Sequence, residues 1–269
     1  MSLSAVERQG LEPEDWTMRR VMAACVIAIG ATLLAPIDRV AESQESQVDP
    51  KLSEVWQPVP RVVTPGVGSS APSDAVVLFG GGDLTEWESV NGGPARWTVG
   101  DGAFTVASGT GGIRTKRAFG DVQLHIEWRA PARIEGSGQD RGNSGVFFQQ
   151  QYEVQVLDSH DNPTYVNGQA ASVYKQHIPL VNASRKPGEW QSYDIVFRAP
   201  VFAEDGSVRT PASLTVFHNG VLVQDRVEVK GITVYRGTPY YQKHDAKMPL
   251  MLQDHGSPVS FRNVWIREL

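Results

Sequence analysis

An all-β sandwich or jelly roll is the fold class this sequence predicts, and three observations carry that prediction. From residue 76 onward the apolar residues fall in short alternating segments, and no long stretch keeps a 3.6-residue period. Turn formers punctuate those segments: glycine-rich stretches at residues 80–82, 109–112 and 136–145, and the hairpin signal His218-Asn219-Gly220. The clearest strand, residues 123–129 (QLHIEWR), alternates strictly. It sends Leu124, Ile126 and Trp128 one way and Gln123, His125, Glu127 and Arg129 the other. Residues 146–156, 190–198, 214–217, 221–224 and 261–267 are further strand candidates, and there is no internal repeat. Many short strands with turns between them close into a sandwich or jelly roll.

The segments ahead of that domain read differently. Arg19 and Arg20 precede an apolar run over residues 21–34, and charged residues follow at 38–42. A basic start and an apolar core of this size make residues 1–42 a signal peptide or an uncleaved membrane anchor. The run is shorter than the roughly 20 residues of a spanning helix. Acidic residues crowd positions 7–15, so Met18 is an alternative start. The expected location is exported, periplasmic or cell-surface. Residues 43–75 are rich in Pro, Ser, Gln and Val and predict a disordered linker, with the sandwich domain spanning 76–269.

Composition narrows the function classes. A net charge of −5 over 269 residues argues against a nucleic-acid partner. The single cysteine, Cys25, lies in the export segment, which excludes a disulfide framework or a cysteine metal site in the domain.

Two clusters carry chemistry. In residues 152–158 (YEVQVLD), Glu153 and Gln155 share a strand face, and a β-bulge would bring Asp158 onto it. The resulting E-x-Q-x-x-D pattern resembles the E-x-D-x-x-E strand of laminarinase-type glucanases, with Gln155 where a carboxylate would stand. Such a pattern also arises on strands without chemistry. The second cluster is Gln253-Asp254-His255-Gly256-Ser257-Pro258, where His255 can serve as base, acid or ligand. The same residues are also turn formers. The polar side of QLHIEWR is either a solvated outer face or a concave sugar-binding face.

Taken together, these segments identify the sequence as resembling the 3-keto-disaccharide hydrolase family. The resemblance runs through residues 78–87 (LFGGGDLTEW), 97–104 (WTVGDGAF), Glu127-Trp128-Arg129, 143–148 (NSGVFF), 152–158, 186–195 (KPGEWQSYDI) and 252–269 (LQDHGSPVSFRNVWIREL). It implies a concanavalin A-like jelly roll that acts on sugars oxidised at C3. Ala171-Ser172-Val173-Tyr174 departs from the family's Gly-Ala-Ile-Tyr. Residues 233–248 form a longer loop whose Tyr235, Arg236, Tyr240, Tyr241 and His244 make either a sugar-stacking wall or a variable surface.

The chemistry implied is removal of the C2 proton, made acidic by the C3 ketone, then loss of the C1 group and addition of water. That route needs a base, an acid and an oxyanion partner. Glu153, His255 and Asp158 are the expected catalytic residues. Glu127, Arg129, Asn143, Gln155, Gln253, Tyr174 and Trp97 are expected to bind the substrate, the last two by stacking. No cofactor motif is present. A divalent metal would take its ligands from Glu127, Asp158, Asp254 or His255. The expectation is that one curved β layer gathers Glu127, Glu153, Gln155, Asp158 and His255 around a single oxidised sugar ring. The alternatives are a non-catalytic carbohydrate-binding module or a conventional glycoside hydrolase.

Overall fold

The structure, a computed structural model, describes residues 49–269. The export segment at 1–42, with Cys25, and the start of the predicted linker lie outside the described residues. The chain divides into Met1–Pro60 and Arg61–Leu269. Of the first unit, the described part holds one 3-10 turn, Pro50–Ser53, capped by the Asp49 carboxylate, which accepts the Lys51 amide at 3.0 Å.

The sheets of the second unit are all antiparallel, with 3-10 turns at Gly138–Asp140 and Val166–Gly168 in its loops. Its larger sheet contains β1 (Val76–Phe79), β3 (Thr98–Gly100), β4 (Ala103–Thr105), β6 (Val122–Arg129), β9 (Gln191–Arg198), β12 (Ser213–His218), β13 (Val221–Glu228) and β15 (Ser260–Glu268). The order is β13-β12-β9-β6-β15-β4-β3, with β1 also paired to β15. The smaller sheet takes β2 (Trp87–Ser89), β5 (Ile113–Phe119), β7 (Ser144–Phe148), β8 (Tyr152–Val156) and β14 (Met248–Leu252) in the order β2-β5-β14-β7-β8. A short hairpin of β10 (Val201–Phe202) and β11 (Val208–Thr210) stands apart. The chain passes repeatedly between the two sheets, with the hairpins β3–β4, β7–β8 and β12–β13 staying within one, as in a concanavalin A-like jelly roll.

Period-2 patterning decides which faces meet. Leu124, Ile126 and Trp128 of β6 and Tyr193, Ile195 and Phe197 of β9 are buried, as are Tyr152, Val154 and Val156 of β8. Phe148 of the small sheet stacks on Phe197 of the large one at 4.7 Å, and the Tyr193 hydroxyl crosses the core to donate to the Gln155 carbonyl at 2.8 Å. These contacts fix the inner faces of both sheets, so the alternate residues point outward on opposite sides of the sandwich.

One predicted strand is two. Residues 146–156 break into β7 and β8 because Gln149 and Gln150 both take left-handed φ, 51° and 58°, and close a tight hairpin. Neither residue is the Gly, Asn or Asp that usually announces such a turn. At the predicted Asn219-Gly220 turn, φ is 52° and 79°, and β12 pairs directly with β13. The free edge of β8 is covered by an irregular segment. Ala171 donates to the Gln155 carbonyl, the Gln155 amide to Ser172, and Tyr174 to the Glu153 carbonyl. That cover leaves every residue of β8 buried on both faces.

Residues 61–75 form no strand. They cross the outer face of the larger sheet, where the Ser69 carbonyl accepts the Trp265 indole and the Asn263 amide, both at 2.9 Å. Asp74 pairs with Arg61 and Arg267.

Candidate functional site

On the outward face of β7 and β8 lies a recess of about 260 Å³. Glu153 and Gln155 supply its floor, as their shared strand face predicts, and Phe147 flanks them from β7. Gly145 lies opposite Gln155 in the ladder, and its lack of a side chain makes room. A Cβ there would stand 2.5 Å from Glu153 Oε1 and 2.7 Å from the Phe147 ring. The walls are loops: Asn143 before β7, Tyr174 from the edge cover, Thr233 and Tyr235 from the long loop, and Gln253 and His255 after β14.

The electrostatics of the floor are unusual. Glu153 is only 4% exposed, and burial alone pushes its carboxyl up to about 8. No cation or hydrogen-bond donor among the described residues offsets that burial. The carboxyl therefore holds its proton at neutral pH. The Glu153 amide donates to Thr233 Oγ1 at 3.0 Å, which ties the long loop to the strand.

Gln155 is 1% exposed, and its Nε2 is engaged by Gln139 Oε1 and the Gly168 carbonyl. Among the described residues its Oε1 has no partner, and neither has Oε1 of Gln253. Two buried amide oxygens left unpaired in one recess are acceptors waiting for a ligand's hydroxyls. Asn143 is oriented by donation to the Gln139 carbonyl at 2.7 Å.

Tyr174 and Tyr165 share a hydrogen bond of 2.6 Å. Burial first, then the Tyr165 hydroxyl, push the Tyr174 phenol above its ordinary value. Lys175 lies 4.1 Å over the Tyr235 ring and donates to the Tyr235 carbonyl at 2.6 Å. That holds an exposed aromatic at the rim, so of the long loop's aromatic residues Tyr235 lines the site. Tyr241 and His244 serve the fold instead: Tyr241 donates to the Val229 carbonyl, and His244 bonds the buried Tyr152 hydroxyl.

His255 sits on a turn built by Asp254, whose carboxylate accepts the amides of Gly111 at 3.0 Å and Gly256 at 2.9 Å. The turn reading of this segment is right, and the turn is what exposes the imidazole. His255 lines the Glu153 recess and also a second, larger one of about 490 Å³.

Four sequence expectations need correction. Glu127 and Arg129 are on the other side of the sandwich from Glu153, on the outer face of β6. Alternation separates them from the buried Leu124, Ile126 and Trp128, but cannot say which outer surface they reach. Burial pushes the Glu127 carboxyl up, yet hydrogen bonds from Asn263, Arg262 and Ser69 outweigh it and hold it below its ordinary value. Arg129 lies 4.6 Å over the Trp190 ring on that same face. Asp158 does not return to the Glu153 face, because the β7–β8 register is unshifted and β8 ends at Val156. Its carboxylate takes the Arg141 Nε at 2.6 Å and the His160 amide at 3.2 Å, beside the second recess. Trp97 is core: it is 4% exposed, stacks on Phe261 and donates to the Gly111 carbonyl.

Of the four expected metal ligands, Glu127 stands on the far face, Glu127 and Asp158 are committed to arginines, and Asp254 to the Gly111 and Gly256 amides. Among the described residues, no three His, Cys, Asp or Glu side chains are grouped to hold an ion. Phe147, Thr233 and Gln139 escaped sequence reasoning. Thr233 and Gln139 reach the site from loops with no periodic signal.

The sequence pattern of a family described as a 3-keto-alpha-glucoside-1,2-lyase-like domain matches residues 74–267. Among solved structures, a candidate glycosyl hydrolase from Parabacteroides distasonis is 54% identical, with a TM-score of 0.80, over 83% of this chain and 98% of its own. A second from the same organism is 23% identical, with a TM-score of 0.54, over 73% of this chain and 94% of its own. A third is 21% identical with a TM-score of 0.51, over 72% and 99%. The last two show the shared fold. No curated protein matches the chain.

Proposed function

This chain belongs to the family of 3-keto-alpha-glucoside-1,2-lyase-like domains, and from that premise we propose that it cleaves 3-keto-glycosides by elimination across C1 and C2 followed by hydration. It is a carbohydrate-active protein, and its 54%-identical relative is itself described as a candidate glycosyl hydrolase. The observation that carries the proposal is a protonated, buried carboxyl, an exposed imidazole and two unpaired amide oxygens converging on one recess the size of a single sugar ring.

The chemistry follows from the protonation states. The ketone makes the C2 hydrogen acidic, and the His255 imidazole takes it, leaving an enediolate across C2 and C3. The C1–O bond then breaks as a C1–C2 double bond forms. Glu153, holding a proton, gives it to the departing oxygen. Water adds across the new double bond, so the net products are the 3-keto sugar and the free alcohol. The oxygens of Gln155 and Gln253 accept from ring hydroxyls and fix the ring over His255, and Tyr235 covers it at the rim.

The test is turnover of a 3-keto-glucoside in D₂O, with an enzyme-free control for spontaneous enolisation. Deuterium at C2 of the product, above control, is expected. Turnover with C2 unlabelled would mean direct displacement at C1. Tight binding with no released alcohol would make the domain a binding module.

The correction on Glu127 has its own expected outcome. Glu127→Gln changes kcat/KM by no more than about threefold, because the residue is on the far face. It lowers the melting temperature, because it weakens the links to Arg262, Asn263 and Ser69. A hundredfold loss of turnover at unchanged stability would return that face to the reaction.

A further inference from the structure

We infer that the outward face of the larger sheet, on the side of the sandwich away from Glu153, is a non-catalytic binding site for an acidic oligosaccharide, whose carboxylate is taken by arginines clustered around Trp190. A groove of about 530 Å³ crosses β15, β6 and β9 there, bounded over β15 by Gly68 and Ser69. The site shares no residue with the Glu153 recess, so it does not depend on the reaction assigned there.

Strand register brings the arginines together. Trp128 faces Gln191 between β6 and β9, so Arg129 and Trp190 are the next pair, and on β15 Arg262 faces Glu127. The guanidiniums of Arg129 and Arg262 lie 4.6 and 4.2 Å from the centre of the Trp190 ring, and Arg185 donates to the Trp190 carbonyl at 2.8 Å. Arg185 is held in turn by its main chain, which exchanges bonds of 2.9 and 3.0 Å with the Gln191 amide. One carboxylate answers these three cations: Glu127 accepts Arg262 Nε at 2.6 Å and is also bonded by Asn263 and Ser69. Among the described residues, Arg129 and Arg185 meet no carboxylate, and the Nη groups of Arg262 have no acceptor. Planar donors fixed against an indole, with N–H groups to spare, suit the paired oxygens of a carboxylate.

Further along the groove the chemistry changes. Asp194 lies four residues along β9 from Trp190, about 13 Å away at the rise of a strand. Its Oδ1 meets His125 Nδ1 at 2.7 Å, and its side chain is 44% exposed. Ser192 stands between the two on the same face, and Gln123 lies across on β6. Hydroxyl, amide and carboxylate groups of this kind pair with sugar hydroxyls. The Asp194 carboxylate repels a second anion, so a polymer charged on every unit, nucleic acid included, is disfavoured. One acidic unit followed by neutral ones matches the sequence of charges along the groove.

Titration calorimetry on the full chain tests the assignment with three probes: a trisaccharide carrying one terminal glucuronic acid, the same trisaccharide with its carboxyl reduced to the alcohol, and sodium acetate. The acidic trisaccharide binds at least about tenfold more tightly than the reduced form, and its affinity falls as salt is raised. Arg129→Gln, which breaks no hydrogen bond among the described residues, and Arg185→Gln each weaken the acidic trisaccharide at least about tenfold. Both variants keep wild-type kcat/KM on a 3-keto-glucoside. No binding by the wild-type protein, equal binding of the acidic and reduced forms, or unchanged affinity in both variants overturns the site. Acetate binding as tightly as the trisaccharide overturns the saccharide and leaves only a simple anion contact.

Discussion

Glu153→Gln lowers turnover of a 3-keto-glucoside by about 10²–10⁴-fold while the sandwich stays folded. The substitution keeps the shape and neutrality of the protonated acid and removes only the transferable proton. Ring binding through Gln155 and Gln253 therefore survives, and the loss falls on kcat. The same variant has a stability signature. With the folded carboxyl at about 8 against an unfolded value near 4.5, the contribution of Glu153 to stability is fully present only below about pH 4.5. That contribution declines as pH rises and is fully lost above about 8, on the order of 5 kcal/mol in all. Urea midpoints of the wild-type protein should fall between pH 5 and 9 relative to Glu153→Gln, which has no such titration at this position. Parallel pH profiles for the two proteins, or activity retained in the variant, would remove Glu153 as the acid.

Arg141→Ala destabilises the fold by about 3–5 kcal/mol, the cost of leaving a buried carboxylate without its cation. Asp158 is 4% exposed, and the guanidinium that meets it at 2.6 Å also holds the His160 and Asp161 carbonyls. Loss of the cation strands three acceptors. Asp158→Asn in the Arg141→Ala background recovers part of the loss, because it removes the uncompensated charge. Chemical denaturation of the three variants measures this. A cost below about 1 kcal/mol for Arg141→Ala, or full activity loss in Asp158→Asn at unchanged stability, would restore Asp158 to a chemical role.

Much of the architecture was legible because alternation is a local signal. Residues 123–129 and 190–198 are strands where the pattern puts them, and Glu153 and Gln155 share a face for the same reason. His255 stood out as a base, acid or ligand within a cluster of turn formers, and the resemblance, not the turn, gave it and Gln253 a role. Alternation left open which outer surface of the molecule a polar face belongs to, and Glu127 and Arg129 were misplaced on that account. Asp158's partner is 17 residues away at Arg141, a pairing that no spacing rule predicts. The Gln149-Gln150 turn was missed because nothing but tertiary packing makes two glutamines left-handed.

The irregular cover along β8 has a consequence for how the acid keeps its proton. Residues 171–174 are held to the strand by a few main-chain bonds rather than by a full partner strand. Ala171 and Val173 are buried in the core, but the Tyr174 end, half-buried and bonded to the Glu153 carbonyl, can open without unfolding the sandwich. Each opening would admit solvent beside Glu153 and release the proton that dryness retains. The titration of that one carboxyl thus becomes a gauge of the seam. Mutations that loosen residues 171–174 should shift the upper limb of the activity profile towards acid before they alter the melting of the whole domain.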